Sequence, residues 1–188
     1  MNNYSWLQQK LHKFALSSQL IREAMFDAES SAISINQSYE NHVFVSGLAR
    51  SGTTILLNAL YESHEFASLS YKDMPFILAP NLWSKLFFNR KDTDLIGRAH
   101  GDGIKVSTES PEAFEEVFWM TFGESDEDIK NKFKNYVELI NHRYQKKRYL
   151  SKNNQNIRRI ELISNIFPNS KILIPYRNPI QHSYSLLY

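Results

Sequence analysis

Two glycines set the most informative spacing in the sequence. Gly47 and Gly52 are separated by four residues and followed by a hydroxyl residue, Thr54, which is the spacing of a phosphate-binding loop. The position just before that hydroxyl, where a nucleoside triphosphatase carries lysine, holds Thr53, and the only cation in the loop is Arg50. Such a loop turns its backbone N–H groups toward a phosphate or sulfate at a helix N-terminus. The spacing therefore predicts an anion site, without predicting triphosphate chemistry.

A second chemical segment follows the last apolar run, residues 171–176. The run ends at Arg177, where a P-loop triphosphatase commonly ends a strand in an aspartate that holds magnesium. Ser185 comes eight residues later, in a segment predicted to be helical. Because a strand end and the following helix can approach one ligand from two sides, we expect Arg177 and Ser185 to converge on one anion.

The elements that must position these residues alternate between strands and helices. Apolar runs predict strands at 43–46, 66–70, 148–151 and 171–176, and helical periodicity predicts helices at 5–29, 53–62, 155–167 and after Pro179. This alternation is typical of a parallel sheet covered by helices on both faces. We expect one α/β domain over 1–188, with an N-terminal helix and linker at 1–38 and the core at 42–188.

The middle of the chain carries signals for the start of helices. Ser110, Pro111 and Glu112 suit the N-cap and first turn of one helix, and a second helix is predicted from Ser125 to about residue 147. Pro80 interrupts an apolar stretch and predicts a broken helix there. Basic residues crowd the region 143–159, which we interpret as a solvated helix face and its neighbours.

The loop and the Arg177 segment together resemble the sulfotransferases that use 3′-phosphoadenosine 5′-phosphosulfate (PAPS). The loop looks like the family's 5′-phosphosulfate loop in the arginine form of tyrosylprotein and related bacterial-type sulfotransferases. The resemblance implies a P-loop-type, three-layer α/β fold. It also implies that PAPS is held by the residues of this loop, namely Gly47, Arg50, Ser51, Gly52, Thr53 and Thr54.

The resemblance also covers the residues that would bind the other end of PAPS, the sulfuryl donor. Arg177, Asn178 and Pro179, followed by Ser185, look like the family's 3′-phosphate motif, although Asn178 stands where aspartate is usual. Lys152 lies in a segment similar to the Lys-Thr-Pro region of the same branch. The resemblance therefore implies that Lys152, Arg177 and Ser185 also bind the donor.

This family's chemistry is the transfer of a sulfuryl group from PAPS to a hydroxyl of a sugar, lipid or other small acceptor. The product is 3′-phosphoadenosine 5′-phosphate (PAP), no metal is implied, and Arg50 neutralises the leaving phosphate. Two residues remain candidates for the base that takes the acceptor's proton. The family's acidic residue beyond the second strand implies Asp73, and His100, with Asp102 nearby to orient it, is the rival.

Two other functions remain open. A P-loop kinase or other nucleoside triphosphatase is disfavoured by Thr53 in the lysine position and by Arg177 at the later strand end. The second alternative is a module that binds a nucleotide without catalysing a reaction. It remains open because the sequence ends inside an apolar helix, where members of the family usually continue. We therefore expect a longer natural chain or a homodimer.

Composition argues against several further classes. The formal net charge of +2 favours neither a nucleic acid nor an anionic membrane as partner. The chain has no cysteine, so disulfides and thiolate metal sites are excluded, and its six histidines lack metal-ligand spacing. No signal peptide and no apolar run of about 20 residues is present. We expect a soluble, cytoplasmic protein.

Overall fold

A computed structural model shows how the predicted elements are arranged. It describes residues 15, 17–35, 38–86, 96–97, 105–106, 110–125 and 127–187. His100 and the glycine-rich segment around it lie outside the described residues, as does most of the predicted first helix before residue 19.

Four parallel strands form the central sheet, which confirms the predicted α/β class. In chain order they are β1 (Val43–Val45), β2 (Phe66–Ala67), β5 (Arg148–Lys152) and β6 (Lys171–Leu173), and they lie in the order β2-β5-β1-β6. Two further strands, β3 (Ile96–Gly97) and β4 (Lys105–Val106), form a separate antiparallel pair. Strand β1 therefore lies inside the sheet, with β5 on one side and β6 on the other.

Two strands end three residues earlier than the sequence predicts. Strand β2 ends at Ala67 rather than at residue 70, and β6 ends at Leu173 rather than at residue 176. Pro175 accounts for the second difference, because proline has no N–H group to donate to a neighbouring strand. The chain after β6 thus leaves the sheet early and runs as an irregular segment toward the last helix.

Seven α-helices surround the sheet in the described part of the chain. Short 3-10 helices at Tyr71–Asp73 and Asn154–Arg158 supplement them. The α-helices are α1 (Gln19–Ala32), α2 (Thr53–Tyr61), α3 (Pro80–Leu86), α4 (Glu116–Phe122), α5 (Ile129–Tyr144), α6 (Ile160–Ile166) and α7 (Pro179–Leu187).

The prediction that a helix starts at Ser110 is wrong. Pro111 instead forms an isolated antiparallel bridge with Ser70, beyond the end of β2. On either side of the bridge, Tyr71 N–H donates to the Ser110 carbonyl and Glu112 N–H donates to the Leu69 carbonyl. Proline disfavours helical backbone in the residue before it, and the extended chain after β2 offers hydrogen-bond partners instead. The helix begins only at residue 116.

Alternate side chains of the central strands pack on opposite faces of the sheet. Phe44 and Tyr149 belong to the larger core, which contains residues of α1, α4, α5 and α6. Val45 and Leu150 face the other way, toward Leu57 of α2. This alternation follows from the two-residue period of a strand. It places α2, and the loop that leads into it, on one side of the sheet.

Candidate functional site

The glycine-bracketed loop connects the end of β1 to the start of α2. Gly47 has a φ of +143°, and a Cβ atom built on it would lie 3.4 Å from the Pro175 carbonyl oxygen. Gly52 has a φ of +99° and immediately precedes α2. Arg50 also has a left-handed φ, +65°, which costs a non-glycine residue about 1–3 kcal/mol and is typical of functional sites. The loop therefore depends on glycine at both ends and holds Arg50 in a strained conformation.

Helix α2 presents its N-terminus to this loop. No side chain caps it, because the N-cap position is Gly52. The first N–H groups of any α-helix have no carbonyl partner within the helix, so they are oriented to bind an anion. Thr53 is buried at the first helical position, and Thr54 follows it. The local geometry is thus the one that the glycine spacing predicts.

The second half of the site begins where β6 ends. Asn178 is followed by α7, and its side-chain oxygen accepts hydrogen bonds from the N–H groups of Ile180 and Gln181 at 3.0 and 3.4 Å. An amide oxygen can cap a helix as aspartate does. Pro179 occupies the first helical position, where proline is favoured. The asparagine that departs from the family's motif therefore still starts the helix.

One cavity brings the two predicted motifs together. It has a volume of about 410 Å³ and lies beyond the carboxyl ends of β1 and β6, where open α/β sheets bind ligands. Its walls come from the loop, the first turn of α2, the irregular segment between β6 and α7, and α7 itself. The lining residues are Arg50, Ser51, Gly52, Thr53, Thr54, Ile55, Arg177 and Ser185.

Two contacts join α7 to the loop directly. Arg50 Nε donates to the carbonyl and hydroxyl oxygens of Ser185, at 3.2 and 3.3 Å. The His182 ring nitrogen Nε2 lies 2.7 Å from the Ala49 carbonyl oxygen, a distance at which the ring N–H donates to it. His182 was not singled out from the sequence. Its position three residues before Ser185, on the same helical face, is the signal that could have identified it.

Lys152 also reaches the loop. It is the last residue of β5, and its Nζ donates to the Thr54 hydroxyl oxygen at 3.1 Å. The same Nζ lies 3.6 Å from a carboxylate oxygen of Glu112, and both side chains are 11% exposed. The structure thus adds Glu112, a residue that the sequence assigned to helix initiation, to the surroundings of the predicted anion site.

Asp73 lies away from the cavity lining, in the 3-10 helix after β2. The residue is fully buried, and its Oδ2 accepts hydrogen bonds from the Ser70 N–H group, at 2.9 Å, and from the Tyr144 hydroxyl. Arg143 Nε lies 3.6 Å from Oδ1. Burial raises the pKa of the Asp73 carboxyl, while the hydrogen bonds from Ser70 and Tyr144 oppose that rise. The rival base, His100, falls outside the described residues.

The basic residues of region 143–159 do not form one solvated face. Arg159 and Lys152 are buried, at 7% and 9% exposure. Arg159 pairs with Glu116 and Glu124 at 2.8 and 2.7 Å. Arg148, at the start of β5, pairs with Glu65. The predicted surface patch is therefore replaced by separate ion pairs that join the segments around β5.

The fold and the site together indicate the class of protein to which this chain belongs. The chain is an α/β protein in which a glycine-bracketed loop and two arginines face one cavity at the carboxyl edge of a parallel sheet. Residues 42–187 match the model of the sulfotransferase family, and the chain belongs to that family. This confirms the resemblance seen in the two motifs.

Two solved structures show the same fold. The sulfotransferase STF1 from Mycobacterium tuberculosis H37Rv matches with a TM-score of 0.56 at 16% identity, over 92% of this chain and 56% of that one. STF9 from Mycobacterium avium matches with a TM-score of 0.52 at 14% identity, over 99% of this chain and 56% of that one. The chain thus spans a little over half the length of these relatives. No protein of curated function matches the sequence.

Two further features of the described residues concern membranes and metal ions. None of the helices there is both long enough and apolar enough to cross a membrane. Among the same residues, no group of three or more histidine, aspartate and glutamate side chains is placed to hold a metal ion.

Proposed function

We propose that this chain transfers a sulfuryl group from PAPS to a hydroxyl group of a sugar, lipid or other small acceptor. The main support for this proposal is that the loop, Arg177 and Ser185 all line the same cavity. A nucleotide with two anionic groups matches a cavity that is lined by two arginines, Arg50 and Arg177. Membership of the sulfotransferase family supports the type of reaction.

The donor's 5′-phosphosulfate is proposed to lie against the loop. Arg50, the hydroxyl groups of Ser51, Thr53 and Thr54, and the first N–H groups of α2 would bind it, with Lys152 beside Thr54. Arg177 and Ser185 would bind the 3′-phosphate. Arg50 and Ser185 are bonded to each other in the structure, so the donor would exchange their mutual hydrogen bonds for bonds to its own oxygens.

The reaction is a substitution at sulfur. The acceptor oxygen forms a bond to sulfur, the bond from sulfur to the 5′-phosphate oxygen breaks, and PAP leaves with the bonding electrons. Negative charge grows on that bridging oxygen, so a cation held near it lowers the barrier. Arg50 fills this role in the proposal. In the proposal, Arg50 and the N–H groups of the loop supply the positive charge that a magnesium ion supplies in triphosphatases, so no metal is invoked.

The acceptor's proton goes to a base, for which we propose Asp73. Burial raises the pKa of its carboxyl, which strengthens it as a proton acceptor. Its buried Oδ1 accepts no hydrogen bond in the described part of the chain, although Arg143 lies nearby. His100 is the alternative base.

Replacing each candidate base separates them. With PAPS at saturation, Asp73→Asn is expected to lower turnover by a factor of about 100 or more, and His100→Ala by much less. PAP affinity should stay close to that of the unchanged chain in both variants, since neither residue is assigned to donor binding. Normal turnover in Asp73→Asn would remove it as the base.

Calorimetry tests the proposed donor. PAP should bind, and adenosine triphosphate with magnesium should bind more weakly, because Thr53 replaces the lysine that triphosphatases use. Preferential binding of the magnesium complex would instead favour a kinase or other triphosphatase. Radiolabelled PAPS incubated with sugars, phenols and lipid alcohols then tests transfer. Binding of PAP without any transfer would indicate a nucleotide-binding module.

A further inference from the structure

Glu112 lies at the junction between the donor loop and the segment that carries Asp73. Hydrogen bonds on either side of the Ser70–Pro111 bridge fix its backbone against the chain that continues β2. Its side chain therefore lies near the carboxyl edge of the sheet, where the loop also lies. Nothing in the proposed reaction yet uses this carboxylate.

The two oxygens of Glu112 face different partners. Oε1 accepts a hydrogen bond from the Ala113 N–H group at 2.9 Å and lies 3.6 Å from Lys152 Nζ. Lys152 in turn donates to Thr54 of the loop. Oε2 accepts a hydrogen bond from the Tyr71 hydroxyl at 2.9 Å, and Tyr71 begins the 3-10 helix that ends at Asp73. A continuous set of contacts thus runs from Thr54 through Lys152, Glu112 and Tyr71 to the element of the proposed base.

We propose that Glu112 is a positioning residue that holds the Lys152 ammonium group against the donor's 5′ group. The inference rests on the proposed function, because it assumes that an anionic group occupies the loop. Glu112 itself does not touch the donor. It acts through Lys152, and its bond to Tyr71 ties that cation to the acceptor side of the site.

The physical reason lies in the character of lysine. A lysine ammonium is a point charge on a long flexible chain, and fixing it in one conformation costs side-chain entropy. A carboxylate 3.6 Å away restricts where the ammonium lies, and partial burial of both groups strengthens their attraction relative to a surface pair. Without Glu112, Lys152 should spend less time at Thr54.

Glu112→Gln isolates this role. The amide keeps the size of the side chain and one oxygen, which can accept from Tyr71 or from Ala113, and it removes the negative charge beside Lys152. We expect PAP to bind about tenfold more weakly, as when one partner of a partly desolvated charge pair is removed. Adenosine 3′-monophosphate, which lacks the 5′ group, should bind with unchanged affinity. A purely structural role would affect both ligands.

Glu65→Gln is the matched control. Glu65 also pairs with a cation, Arg148 at 2.9 Å, but its side chain is 63% exposed and the pair lies at the start of β5. This variant should bind both ligands as the unchanged chain does. Glu112→Asp, which restores the charge at a shorter length, should recover part of the PAP affinity that Glu112→Gln loses.

A thermodynamic cycle with Lys152→Met gives the decisive result. If Glu112 acts through Lys152, adding Glu112→Gln to Lys152→Met should leave PAP affinity where the single Lys152 variant puts it. The inference would be overturned if Glu112→Gln lowered PAP affinity by the same factor with and without Lys152→Met. It would also be overturned if Glu112→Gln lowered the affinities for PAP and adenosine 3′-monophosphate equally. Failure of the unchanged chain to bind PAP would instead overturn the proposed function. Thermal unfolding of each variant confirms that it is folded before the titration.

Discussion

The two halves of the proposed donor site are built on different parts of the sheet. The loop half, residues 47–54, follows β1, which is buried and paired on both sides. The helical half, residues 174–187, follows β6, which among the described strands pairs with β1 alone and is partly exposed. The fold fixes the loop half through strand pairing and through the glycine conformations at its two ends.

The helical half has a different character. Several of its apolar side chains are exposed, among them Tyr176 at 91%, Ile180 at 69% and Leu187 at 77%. Its contacts to the loop half include the bonds from Arg50 to Ser185 and from His182 to Ala49. The difference suggests a division of roles in which the loop half is preformed and supplies most of the donor affinity, while the helical half adds selectivity for the 3′-phosphate.

The largest effect is expected from removing the cation of the loop half. Arg50→Ala should lower turnover by a factor of about 100 or more, because a preorganised donor that stabilises charge in the transition state is lost. Steady-state kinetics with radiolabelled PAPS measure it. Arg158→Ala, at an exposed arginine of the second 3-10 helix, is the control. Near-normal turnover in Arg50→Ala would remove the loop half from its catalytic role.

Lowering the pH should destabilise the fold at β1, the strand that leads into the loop half. His42 precedes β1, and its Nδ1 accepts from the Tyr149 N–H group at 3.0 Å, which requires an unprotonated nitrogen. Burial lowers its pKa from 6.5 to about 4. The stability that His42 contributes is therefore present above pH 6.5 and is lost as the pH falls toward 4, by roughly 3 kcal/mol.

Urea unfolding at several pH values tests this assignment. His42→Gln should flatten the acid side of the stability profile, and His64→Gln, at an exposed position after α2, should not. An unchanged acid profile in His42→Gln would show that the loss arises elsewhere.

The sequence predicted both halves because their geometry is local. The spacing of Gly47 and Gly52 encodes a turn between a strand and a helix, and the eight-residue step from Arg177 to Ser185 covers the entry to α7 and about two turns of that helix. Their meeting at one cavity follows from parallel strands that end at the same edge. Predicting these features requires only the local rules for turns and helices and one rule about the topology of parallel sheets.

The residues between the halves were harder to predict because their contacts are long-range. Glu112 was assigned to a helix start on good local signals, but pairing with the chain after β2 overrides them. Lys152 was expected at the site only from the family resemblance, and its bond to Thr54 joins residues 98 positions apart. The burial of Asp73 depends on Tyr144, which lies 71 residues away and could not be paired with it from spacing.

A backbone contact between the halves gives a smaller expected effect. Gly47→Ala should cost about 2 kcal/mol of stability, because a φ of +143° is strained for a residue with a Cβ atom, whereas that Cβ would make only an ordinary contact, 3.4 Å, with the Pro175 carbonyl oxygen. Gly123→Ala is the matched control, because its φ is +73° but no atom lies within 4 Å of the added Cβ. A similar loss, about 2 kcal/mol, is expected there from the backbone strain alone. A clearly larger loss for Gly47→Ala on denaturant unfolding would show that the two halves press on each other at Gly47.

The smallest effect is expected in the helical half. Ser185→Ala removes one neutral hydroxyl, so PAP should bind about fivefold more weakly, close to 1 kcal/mol. Adenosine 5′-phosphosulfate, which has no 3′-phosphate, should bind as before, because the loop half is intact. Ser183→Ala is the control on the same helix, since the Ser183 hydroxyl donates to the Pro179 carbonyl and Ser183 does not line the cavity. If Ser185→Ala weakened both ligands equally, Ser185 would act by supporting Arg50, and the two halves would form one unit.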